Sequence, residues 1–181
     1  MGSLMVADED KFAELLLYVG KRTADDPTVG AVKLNKLLYF AEFAAVRLFG
    51  HPITGVEYQR LDNGPAPRRL LPIRQRLVEN GSAELRTSPV FGFAQQRLIP
   101  LREPDLTAFS REELQIVDEV VDTLRGKTAV EVSAISHQEA GWRMVGDREV
   151  IPYEFAVVRP PHLTPEIRAH AEVLAAQFHV G

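Results

Sequence analysis

The residues able to do chemistry in this chain are few, and their spacing works against catalysis. The histidines are His51, His137, His162, His170 and His179. Two imidazoles that share a metal on one helix usually stand four residues apart. Glu166 and His170 have that spacing, but one carboxylate and one imidazole fall short of a ligand set. Ser136 and His137 are adjacent, and neighbouring side chains on a helix point about 100° apart, which does not make a nucleophile–base pair. Paired carboxylates occur at Asp25-Asp26, in a loop before Pro27, and at Glu112-Glu113, in the first turn of a helix where the dipole favours them. No glycine-rich phosphate loop and no Gly-x-Ser-x-Gly elbow is present. The expectation is a protein with no catalytic residues, no metal site and no cofactor.

Charge sharpens that reading. With 21 Lys and Arg against 25 Asp and Glu, the net charge is -4, which argues against a protein whose main partner is nucleic acid. The charge is unevenly placed. Arg60, Arg68, Arg69, Arg74 and Arg76 crowd one stretch near Tyr58, without a helix-turn-helix or RNA-stacking motif around them. Glu103, Asp105, Glu112, Glu113, Asp118, Glu119 and Asp122 make another stretch acidic, suited to a solvated helix face or to steering a basic partner. The chain has no cysteine, which fits a reducing cytoplasm. It has no apolar run long enough to span a bilayer.

The elements that must position these residues are mostly helical. Asp8 is placed to cap a first helix carrying Phe12, Leu15, Leu16 and Val19 on one face. A second helix runs from about Gly30 to Phe49. Leu34, Leu37, Leu38, Ala41, Ala45 and Leu48 form its core stripe, and Tyr39, Phe40, Phe43 and Val46 widen it, so it is apolar over most of its circumference and must be central. Lys33, Lys36 and Glu42 are the positions expected to face solvent or a partner. Ile53 to Leu61 reads as a short strand or an extended arm, Asn63-Gly64-Pro65 as a turn, and Pro67 to Gly81 as a third helix. Ala83–Thr87 and Phe91–Leu98 form a hairpin around Ser88-Pro89-Val90. Ser110 with Glu113, and Thr128 with Glu131, are capping boxes that open two more helices. Leu114, Val117, Val120, Val121 and Leu124 point inward on the first of these, and Val130, Ala134 and Ile135 on the second. Val150 to Val158 reads as strand or turn, and Thr164-Pro165-Glu166 opens a last helix through Phe178.

Four segments stand in register: Lys33-Leu34-Asn35-Lys36-Leu37-Leu38-Tyr39-Phe40-Ala41, Gly50-His51-Pro52, Gly64-Pro65-Ala66, and Ser136-His137 with Trp142. Together they resemble the Panacea, or SocA-like, antitoxin domain. Asn35 and Ala66 replace the family's common Gln and Val, and Tyr58 and Leu61 occupy a segment that usually carries a Trp. The resemblance covers about residues 8–158. It implies an antitoxin that neutralises a cognate, translation-inhibiting toxin by direct protein–protein contact. One relative instead delivers its toxin to a ClpXP-type protease as an adaptor. The family also occurs in phages and prophages.

The expected fold is mainly α (α+β): a compact bundle of five to six helices around a central apolar helix, with a small antiparallel hairpin or sheet. Residues 8–158 would form the domain and 159–181 a C-terminal helical extension. Lys33, Leu34, Leu37, Leu38, Tyr39, Gly64, Pro65 and Trp142 are expected to define the fold. Two surfaces are candidates for the partner: the acidic one with Glu112, Glu113 and Glu119, and one with Tyr58, Arg60, Asn63 and Pro65, joined by His137 and Trp142 if the tertiary fold brings them together.

Overall fold

The computed structural model describes residues 6–158. The expected extension over 159–181, with its helix and the Glu166–His170 pair, lies outside the described residues.

Helix α1 (Glu9–Arg22) starts where Asp8 accepts a hydrogen bond from the Lys11 N–H at 2.8 Å, with Glu9 and Asp10 at its positive end and Lys21 and Arg22 at its negative end. Helix α2 (Ala31–Phe49) ends at Gly50, whose φ of 79° gives the left-handed stop that a side chain would strain. Next come β1 (Tyr58–Gln59), β2 (Ala66–Pro67), α3 (Leu70–Glu79), β3 (Ala83–Val90) and β4 (Phe93–Pro100). They are followed by α4 (Arg111–Leu124), α5 (Ala129–Ser136), α6 (Ala140–Met144), β5 (Val150–Ile151) and a 3-10 turn over Tyr153–Val157. Both expected capping boxes are formed. The stretch left open between strand and turn holds both, in that order.

Strand β1 pairs antiparallel with β2 on one side and β5 on the other, and β3 with β4 makes a separate hairpin. The hairpin turns at Phe91-Gly92, not at Ser88-Pro89-Val90. Both turn residues have positive φ, 50° and 80°, the two-residue pattern whose twist matches the strands. Pro89 sits inside β3 opposite Ala94, where a two-stranded ribbon has an outer edge that needs no N–H.

Helix α2 is the axis of the molecule. It packs against α1, α4, α5, β2, β4 and the 3-10 turn. Leu34, Leu37, Leu38, Tyr39, Ala41, Phe43 and Ala45 are buried in a core that runs from Phe12 to Ala156. This enclosure overturns one expectation. Lys33, Lys36 and Glu42 are not on the surface: their exposures are 1, 1 and 0%. A helix contacted on every side has no solvent face to give them. Leu48, expected in the core stripe, lies near the exposed C-terminal end and is 66% exposed. On α5 the face is also reversed: Val132, Ser133 and Ser136 are buried, while Val130, Ala134 and Ile135 are exposed.

Two of the buried charges hold loops in place. Glu42 accepts hydrogen bonds from the N–H groups of Ile53 (2.7 Å) and Thr54 (3.0 Å) and from the Thr54 hydroxyl. Burial pushes its carboxyl up to about 7 against the pull of these donors. Lys33 Nζ donates to Asp26 Oδ2 (2.9 Å), Thr28 Oγ1 (2.7 Å) and the Lys127 carbonyl (2.8 Å). Asp26 also accepts from the Gly126 N–H at 3.1 Å, so one ion pair ties the loop before α2 to the loop before α5.

Leu37→Ala, at a site with 1% exposure, should lower stability by about 2–5 kcal/mol, read from the midpoint of urea unfolding. For Asp26, burial alone would raise the carboxyl, but hydrogen bonds from Thr28, Lys33 and Gly126 outweigh it and hold the group well below its ordinary 3.8. A depressed carboxylate stabilises the fold above its unfolded value, and that contribution disappears as the pH falls below it. Asp26→Asn should therefore cost about 3–5 kcal/mol at pH 7, because it leaves Lys33 buried without its counter-charge. The gap between variant and parent should narrow progressively below pH 4.

Candidate functional site

The turn between β1 and β2 meets the end of α5 and the start of α6, and here the fold assembles most of the second candidate surface. The Leu61 carbonyl accepts from the Gly64 N–H, closing the turn at 2.9 Å, and also from Trp142 Nε1 at 2.9 Å. The Trp142 ring is sandwiched. Arg60 lies over it with its guanidinium carbon 4.4 Å from the ring centroid, and His137 stacks on it at 3.9 Å and 19° between planes. Arg60 also donates to the Val145 carbonyl at 2.8 Å. His137 Nε2 is buried without a hydrogen-bond partner among the described residues. Asn63 is exposed, and its carbonyl takes the Ser133 hydroxyl at 2.9 Å. Pro65 is buried beneath the turn.

Tyr58 does not belong to that surface. It is 0% exposed, and its ring packs edge-on to Tyr39 and Phe43 at 5.6 and 6.0 Å. A β1 residue on the sheet face turned toward α2 has nowhere else to put an aromatic ring.

Gly64 is the tightest point. Its φ is 97°, and a Cβ there would collide with Ser136 Oγ and come within 2.6 Å of Lys36 Cε. Behind the turn is a cavity of about 300 Å³, lined by Asn35, Lys36, Asp62, Asn63, Asp147 and Arg148 among others. Sequence reasoning missed Asn35 and Lys36 as site residues by placing Lys36 at the surface. The signal that would have found them was already present: a helix apolar nearly all round leaves its few polar side chains facing inward.

Much of the acidic stretch is spent on partners within the molecule. Glu113 is 6% exposed, closes its capping box through the Ser110 N–H at 2.9 Å, and takes Lys11 at 2.9 Å. Asp118 takes Arg22 Nε and the Tyr18 hydroxyl, both at 2.7 Å, so α4 is fastened to α1. Glu112 and Glu119 remain exposed without an ion pair among the described residues, and Gln115 donates to Glu119 at 3.0 Å. Glu113 is thus removed from the partner surface by its structural role.

The arginine stretch is similarly occupied. Arg69 pairs with Glu9 at 2.7 Å, Arg76 with Asp10 at 3.0 Å and Arg68 with Glu57 at 3.7 Å. Arg74 is the member of this group with neither ion pair nor side-chain hydrogen bond among the described residues.

A second depression, of about 280 Å³, lies between α2, α4 and α5. Phe40, Ala44, Leu48, Ile116, Val120 and Ile135 line it, with Glu119 on its border. Leu48 and Ile135, 66 and 39% exposed, are the residues that the periodicity argument had placed in the core. Arg47 also lines this groove, but its charge is paired with Glu139.

Among the described residues no group of three or more His, Asp and Glu is placed to hold a metal ion, and no helix is long and apolar enough to cross a membrane. The fold defines the class first: an α+β domain wrapped round one enclosed helix, with an apolar groove and a polar cavity at its surface. The family model described as antitoxin SocA-like, Panacea domain, matches residues 34–143, and the chain belongs to that family. The match takes in α2 from Leu34 onward, the Gly64 turn and the Trp142 stack, and it carries a general antitoxin role with a toxin as partner. No curated protein and no solved structure matches.

Gly64→Ala should lower stability by more than about 2 kcal/mol, from backbone strain and the clash with Ser136 and Lys36 together. Thermal unfolding monitored by circular dichroism checks it, and an unchanged midpoint would contradict the packing described for the turn.

Proposed function

We propose that this protein is a cytoplasmic antitoxin that neutralises a translation-inhibiting toxin by direct binding, without catalysis. Family membership is the observation that carries the reading. The groove between α2, α4 and α5 supplies a surface suited to it. Leu48 and Ile135 are apolar and exposed, and Glu119 on the border and Glu112 on the same helix have no ion pair among the described residues. The occupant that fits is an apolar element of the toxin flanked by basic residues. Apolar anchors supply the affinity and the acidic rim speeds encounter with a cationic, RNA-handling surface. The Arg60–Trp142–His137 stack with Asn63 is a second contact region of the same binding mode.

Co-expression with candidate toxins tests the function directly: growth is rescued from the cognate toxin, and the two proteins co-elute. Rescue from none would overturn it. Toxin abundance separates sequestration from delivery to a ClpXP-type protease, since sequestration leaves the toxin level intact. For the surface, Ile135→Asp should abolish rescue while far-ultraviolet circular dichroism stays unchanged. Glu112→Lys with Glu119→Lys should raise the Kd about tenfold, more at low salt than at high. An unchanged Kd in titration calorimetry would remove the acidic rim from the interface.

A further inference from the structure

Two lysines stand one turn apart on α2, each 1% exposed, and their surroundings differ completely. Lys33 has three oxygen acceptors. Lys36 has no hydrogen bond and no ion pair among the described residues. Its side chain runs along the backbone of Gly64, where the missing Cβ makes room for it, and it lines the cavity of about 300 Å³ behind the turn. Next to it, Asn35 Oδ1 is enclosed by protein and has no donor among the described residues. Both residues line one cavity that opens at the surface beside Asp62 and Asn63, and Lys36 brings to it an ammonium with no partner among the described residues.

An ammonium in this setting lacks counter-charge. Burial lowers the Lys36 amine to about 8, which leaves it mainly protonated at neutral pH. Asp62 and Asp147 line the same cavity but do not come within ion-pair distance of it, and Asp147 faces Arg148 at 3.7 Å. What the site lacks is an anionic oxygen at Lys36. An acidic residue in a protein segment offers that oxygen as its side-chain carboxylate. Basic neighbours of that residue would meet Asp62 at the mouth.

We propose that this cavity is an anchor site for a carboxylate, inserted as an Asp or Glu side chain of the protein partner and bound by Lys36. The identity of the donor rests on the direct-binding reading above; the carboxylate chemistry does not. It makes Lys36 a residue kept at a cost to the free protein and compensated in the complex.

Lys36→Met keeps the length of the side chain and removes the charge. The variant should unfold at a higher temperature than the parent, because an unpaired buried ammonium is gone, while its Kd for a toxin that the parent neutralises rises at least tenfold. A lower unfolding temperature would make Lys36 a structural element and overturn the proposal, as would an unchanged Kd. Independently of any toxin, the titration of Lys36 followed by 13Cε NMR should shift to higher pH in sodium acetate and not in equal sodium chloride. No difference between the two salts would overturn the site. An acetate response in a protein that rescues growth from no toxin would sink the antitoxin reading and leave the carboxylate site standing.

Discussion

The structure depends on one constraint: α2 is enclosed, and two of its charged side chains, Lys33 and Glu42, take their partners from the loops around it. Glu42 gathers the N–H groups and hydroxyl of the 53–54 segment, and the Thr54 carbonyl then receives the Asp8 N–H at the start of α1. Lys33 gathers Asp26, Thr28 and the Lys127 carbonyl. In a core that excludes water such bonds are costly to break on one side only, since the remaining charge stays buried. The helix therefore sets the positions of three connections that have little regular structure of their own. The short strands of the β2-β1-β5 sheet, two residues each, would not hold those loops unaided.

Charge that works inside the fold is withdrawn from the surface. Glu113 and Asp118 fasten α4 to α1, and the acidic start of α1 occupies Arg69 and Arg76 on the opposite side. Most of these pairs are exposed enough to contribute little stability each. Their larger effect is on the field: two stretches that look strongly charged along the sequence are each compensated by residues elsewhere, the acidic one by Lys11, Lys21 and Arg22 and the basic one by Glu9, Asp10 and Glu57. What remains at the surface is selective, with Glu112 and Glu119 on one face and the polar mouth beside Asp62 and Asn63 on another. A binding reading built on raw charge counts would have chosen the compensated residues as readily as the free ones.

Much of the fold was legible because α2 is long and apolar and the helix starts carry strong local chemistry. Asp8, Ser110 with Glu113 and Thr128 with Glu131 all act as caps. The missed features share a cause. A helix of eight residues with apolar side chains all round gives no direction, so α5 was turned the wrong way, and Ile135 emerged in the groove instead of the core. The hairpin was displaced because Pro89 looks like a turn residue, while Phe91 at positive φ does not. The site was half legible. Arg60, Asn63, His137 and Trp142 come together as their spacing allowed, but the inward direction of Lys36 follows only from α2 having no free side.

Lys36 is a charged residue that belongs to the packed interior of the domain. Lysine in a helix motif suggests a surface, and surface positions away from special features usually tolerate exchange within about 0.5 kcal/mol. Lys36 lies within the matched segment and is locked against Gly64, which in turn cannot accept a side chain. The lysine, the glycine and the serine at 136 therefore constrain one another across three parts of the chain. Leu48, Ile135, Glu112 and Glu119 carry no such interlock. In a scaffold divided in this way the exposed residues can change without disturbing α2, provided the packing behind Gly64 is kept.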